Sequence, residues 1–139
     1  MGKIIQKVRL TNSGQKSSAE EGLLDPSLVN SVELEMLVDT GAAMVCLPLS
    51  VIQKLQLRKI QTRQALTANG VVERGIYSPV TIEILDRQAD LNVMELPDDG
   101  TPALLGYLPL EALDLYPNPK LQILEGNPKY DGKMVVDLL

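Results

Sequence analysis

The sequence has no histidine, no phenylalanine and no tryptophan, and only one cysteine among 139 residues. Without histidine, neither a Ser-His or Cys-His nucleophile pair nor an HExxH-type zinc site can be assembled. One cysteine permits no disulfide framework and no CxxC metal or redox pair within a chain. Its place between Val45 and Leu47 makes Cys46 a small buried hydrophobe rather than a reactive group. The only aromatics are four tyrosines, too few for the ring platforms on which single-stranded nucleic acid stacks. A net charge of −5 points the same way, away from a phosphate backbone. No apolar run reaches membrane-spanning length. The opening MGKIIQKVRLTN has neither the apolar stretch nor the small-residue site of a signal peptide. The expectation is a cytoplasmic protein with no nucleic-acid or membrane partner, no metal and no cofactor. If it is an enzyme, carboxylates are the acid and base groups left to it.

What is present suits one folded domain spanning 1–139, with 45% hydrophobic and 22% charged residues. KIIQKVRL reads as an opening strand. TNSGQKSSAEEG, polar and rich in Ser and Gly, reads as an exposed, mobile loop. SVELEML alternates, with Val32, Leu34, Met36 and Val38 on one face and Glu33, Glu35, Leu37 and Asp39 on the other. LPLSVIQKLQL has helical spacing, with Pro48 in its first turn and Leu49, Ile52 and Leu55 on one side. Asn69-Gly70 marks a hairpin between β-compatible runs. Pro79 marks a bend or edge before the strand VTIEIL. The turn PDDG precedes Leu104-Leu105-Gly106 and a short helix beginning near Pro109. KLQILEG and KMVVDLL read as two closing strands. The expected fold is mainly β, with two short helices.

The chemistry-bearing stretch is LEMLVDTGAAMVCLPLS, where a strand carries a carboxylate, a hydroxyl and a glycine into a loop. Asp, Thr and Gly are ordinary turn residues, so on its own this is a turn. Its company is more specific. Leu37-Val38-Asp39-Thr40-Gly41-Ala42, then Asn69-Gly70, then Leu104-Leu105-Gly106 resembles the retropepsin-like aspartyl proteases, single-domain relatives of the retroviral enzymes, in a bacterial-type form. The resemblance runs from Leu37 to about Leu115 and implies a closed β-barrel of the acid protease fold.

It also implies a mechanism. Peptide hydrolysis without metal or nucleophile needs a base to activate water and an acid to protonate the substrate. Two carboxylates about 3 Å apart supply both, because like charges that close cannot both ionise. This chain holds one D-T-G, so the resemblance implies a homodimer with Asp39 from each subunit, acting on a peptide or protein substrate. Thr40 would hydrogen-bond across the two-fold axis, and Gly41 would admit its backbone N–H to the carboxylate. Ala42 would leave room for the substrate backbone. Ala68, Asn69, Gly70 and Val71 would form a flap that closes over it. The first and last strands would pair at the subunit interface. Retroviral members carry an acidic residue after the D-[TS]-G-A and an arginine after the apolar-apolar-Gly. Here these are Ala43 and Tyr107, which together with Met44 imply an apolar wall suited to apolar substrate side chains. A non-catalytic peptide-binding module of the same fold is the alternative. A two-carboxylate glycosidase has little support, since no second motif places another carboxylate.

Overall fold

A computed structural model describes residues 3–136 and 138. Nine strands are present: β1 (Ile5–Asn12), β2 (Ser31–Val38), β3 (Val45–Pro48), β4 (Lys59–Thr67), β5 (Gly70–Ile84), β6 (Arg87–Leu96), β7 (Leu104–Leu105), β8 (Tyr116–Asn118) and β9 (Ile123–Glu125). Three short helices join them: α1 (Ser13–Glu20), α2 (Leu49–Lys54) and α3 (Tyr107–Ala112). Single 3-10 turns occupy Pro26–Leu28 and Pro128–Tyr130.

The main sheet runs β1-β2-β7-β3-β6-β5-β4, and β1 also pairs with β5. That last pairing closes six strands into a barrel and leaves β4 outside, attached only to β5. The alternation that marks the strands in sequence fills the barrel. Val8, Leu10, Met36, Val45, Leu47, Ile82, Ile84, Val93 and Leu105 are all buried. Each such side chain contributes about 1.5–3 kcal/mol on burial, so the interior stabilises the fold far more than any surface ion pair can. β5 does two jobs along its length. Its second half, Val80–Ile84, sits between β6 and β1, while its first half pairs with β4 in a hairpin that projects from the barrel. A register shift between Tyr77 and Val80, spanning Pro79, separates the two halves.

Several sequence expectations are corrected. The polar stretch 12–22 is not a loop but contains α1. The Asn12 side chain caps it by accepting from Gln15 N–H at 3.1 Å, and Gly22 follows its end at φ +76°. Among the described residues three α-helices are present where two were expected. Pro48 ends β3 and stands just before α2 rather than inside it, and α3 begins at Tyr107, two residues before Pro109. The hairpin loop is Ala68–Asn69, closed by the Thr67–Gly70 pair. Neither loop residue has a positive φ; Gly70 does, at +106°. KLQILEG supplies β9, but β9 pairs with β8 in a separate two-stranded sheet. Residues 133–136 and 138 of KMVVDLL lie in no strand, and Asp137 and Leu139 fall outside the described residues. The expected closing strand is therefore not formed among the described residues.

Candidate active site

β2 delivers Asp39, and β7 holds it. β7 lies between β2, parallel to it, and β3, antiparallel to it, so the loop from Asp39 to Met44 spans the gap over β7. Asp39 N–H donates to Leu105 O at 3.0 Å, and Ala42 N–H donates to Asp39 O at 3.0 Å. The Asp39 carboxylate accepts from Gly41 N–H at 2.9 Å. A Cβ at Gly41 would lie 3.1 Å from that carboxylate oxygen, so glycine is what lets the amide approach it.

The loop's other end is fixed by α3. Gly106 N–H donates to Met44 O at 3.0 Å, Tyr107 N–H to Ala42 O at 2.9 Å, and Leu108 N–H to Ala43 O at 2.9 Å. The first amides of a helix lack partners inside it, and here the loop's own carbonyls cap them in place of a side chain. The approach is so close that a Cβ at Gly106 would fall 2.6 Å from Ala43 C and 2.7 Å from both Ala42 O and Met44 N. Those are backbone atoms, so no side chain fits. Leu104, Leu105 and Gly106 thus act as the loop's rear support.

Two depressions meet at the loop. One, of about 560 Å³, has Gly41, Ala42, Ala43 and Met44 on one side and the β4–β5 hairpin on the other. Tyr107 and Leu108 also line it, both partly exposed. The second, of about 500 Å³, is lined by Asp39 and Thr40 together with Lys3, Ile4, Pro117 and Pro119. Asp39 is half-buried; Thr40 and Gly41 are exposed. Ala42, Ala43 and Met44 therefore border the first depression directly. Ala68, Asn69, Gly70 and Val71 do not: they form the hairpin tip, with Val71 62% exposed, and the lining comes from residues nearer the base. Arg63 and Arg74 are among these. Neither the D-T-G motif nor strand parity points to them, since Gln64 and Leu66 of the other parity line the depression too. Arg63 and Ala65 share one face of β4, opposite Arg74 and Val72 on β5.

Burial and, second, the charge of Asp39 push the Cys46 thiol up to about 11, partly offset by a hydrogen bond from the Met44 backbone. It stays protonated at neutral pH and is no nucleophile. Glu95 also lines the larger depression and accepts the Gly75 N–H, an approach that a Cβ at Gly75 would block. Burial, then the Glu95 charge, raises the Tyr77 phenol. Among the described residues, no cluster of three His, Cys, Asp or Glu could hold a metal, and no helix is long and apolar enough to cross a membrane.

A family model described as "gag-polyprotein putative aspartyl protease" matches residues 26–111. That span contains β2, the Asp39 loop, the hairpin and most of α3. No curated protein sequence matches the chain. Among solved structures, EIAV protease complexed with the inhibitor HBY-793 is similar at 29% identity. The match covers 58% of this chain and 77% of that one, with a TM-score of 0.51.

Proposed function

Because this chain belongs to the retropepsin-like aspartyl protease family, we propose that it is an aspartic endopeptidase whose working unit is a homodimer. Each subunit contributes one Asp39. One carboxylate of the pair is ionised and takes a proton from water as the water oxygen attacks the scissile carbonyl carbon. The protonated mate gives its proton to the carbonyl oxygen. Collapse of the tetrahedral adduct then breaks the C–N bond, and the amine leaves with a proton returned by the dyad. The pair titrates as a unit, so its pH profile belongs to neither Asp39 alone. Thr40 is proposed to tie the two loops across the axis, and the β4–β5 hairpin to close over bound peptide and exclude water.

The observation that carries this reading is the fixed but accessible Asp39. Its loop is tied to β7 and α3 by four backbone hydrogen bonds (one from Asp39, three from the start of α3) and closed by a fifth within it, yet its carboxylate faces a groove. A loop serving only as a turn needs no such bracing.

The test is digestion of a randomised peptide library by the wild type and by Asp39→Asn. Asparagine keeps the shape but cannot share a proton, so cleavage is expected to fall by at least about a thousandfold, roughly the combined effect of losing acid and base. Circular dichroism is expected to be unchanged. Cleavage by Asp39→Asn at the wild-type rate would sink the assignment. Peptide binding without cleavage by either form would assign the chain as a peptide-binding module instead.

A further inference from the structure

Arg63 and Arg74 stand directly opposite each other in the antiparallel β4–β5 register, on one face of the hairpin. Both line the 560 Å³ depression beside the Asp39 loop. Like charges opposed across a ladder repel, at a cost of a few tenths to about 1 kcal/mol. The usual relief is a neighbouring carboxylate, but among the described residues no carboxylate lies within 4.0 Å of either guanidinium. Arg74 donates only to the carbonyl of its neighbour Glu73, at 3.2 Å. Its field reaches Asp99, but as the weakest of the influences lowering that carboxyl. Glu95, the third charge in the depression, is turned to the Gly75 amide. Every other residue lining the depression is uncharged.

From this juxtaposition we infer that the groove takes peptides carrying an acidic side chain, whose carboxylate bridges Arg63 and Arg74. Guanidinium forks match a carboxylate geometrically, and two opposed forks can hold its two oxygens at once. The rest of the peptide lies along the apolar side formed by Ala43, Met44 and Leu108. Arg63 and Arg74 are then specificity determinants that act by contact with the substrate. This rests on the peptide-binding half of the reading above and not on cleavage.

The experiment uses Asp39→Asn protein, so that binding is read without turnover. Fluorescein-labelled peptides, identical but for a single Glu, Gln or Lys scanned through the sequence, are titrated by anisotropy at low and high salt. At one position or more the Glu peptide is expected to bind about tenfold tighter than the Gln peptide, as one charge-assisted pair allows, and the Lys peptide weakest. The gap narrows with salt. Adding Arg63→Gln and Arg74→Gln closes it. Adding Arg63→Glu and Arg74→Glu instead reverses the order toward Lys, a gain that misfolding cannot imitate. Equal binding of the three peptides at every position, or a Glu preference that survives Arg63→Gln with Arg74→Gln, overturns the inference. A wild-type protein that cleaves nothing while the Glu preference holds removes the peptidase reading and leaves this one standing.

Discussion

Burial raises the Cys46 thiol, and Asp39 lies close enough for its charge to add to that effect. The thiol's proton is held to about 11 against an ordinary 9.0. Unfolding releases Cys46 to its ordinary behaviour, so above pH 9 the unfolded chain loses the proton first and is favoured. The stabilising contribution is complete below pH 9 and lost as pH rises through 11. A shift of that size corresponds to about 2–3 kcal/mol. The raised Tyr77 phenol adds a slope of the same sign. Urea unfolding at pH 8 and 10.5 is expected to show a smaller alkaline loss for Cys46→Ala than for the wild type. Parallel losses would mean that the folded protein does not hold this thiol's proton up. The sequence placed Cys46 correctly as buried, from its Val and Leu neighbours. Only the tertiary structure brings Asp39 near it, because β3 and the end of β2 meet through β7.

Among the elements, α1 was the hardest to see. Its residues carry no apolar face, so hydrophobic periodicity gives no sign of it. Polar bonds hold it instead. Asn12 accepts from Gln15 N–H while its amide donates to Leu55 O at 2.8 Å and Gln56 O at 3.2 Å. One side chain therefore caps the start of α1 and the end of α2. Ser13 is buried and hydrogen-bonded to Thr81 at 3.0 Å. Asn12→Ala is expected to cost about 2–3 kcal/mol, from the lost cap and two acceptors left unpaired. Asn12→Asp keeps the cap oxygen but turns an acceptor toward two carbonyls, and so is expected not to rescue. Denaturant midpoints of the two variants check this; recovery by Asp would leave the cap as the only contribution. Asn12 and Gly22 are residue types that bound helices, but the polar residues between them carry no apolar period to mark one. By contrast β2 and β5 are legible, because a half-buried strand must alternate and the barrel rewards that alternation.

The whole molecule is a barrel closed by β1–β5, with a projecting hairpin on one side and the small β8–β9 sheet beside the Asp39 groove. If two Asp39 carboxylates form one site, activity follows the population of dimers that hold both. Co-refolding equal amounts of wild type and Asp39→Asn is then expected to leave about a quarter of the wild-type rate at the same total protein, whereas sites working alone would leave half. A measured half, with mixed dimers shown by tagged pull-down, would mean each subunit works alone. The sequence by itself determined the absence of histidine chemistry, the mainly β class and the loop that carries the carboxylate. Those follow from residue types and short-range periodicity. What the tertiary structure alone decided is how that loop is held and what faces it. The Gly106 backbone packing, the opposed Arg63 and Arg74, and the β8–β9 sheet in place of a closing terminal strand all depend on pairings between distant segments. Local sequence carries no register for such pairings; burial of the barrel interior selects it.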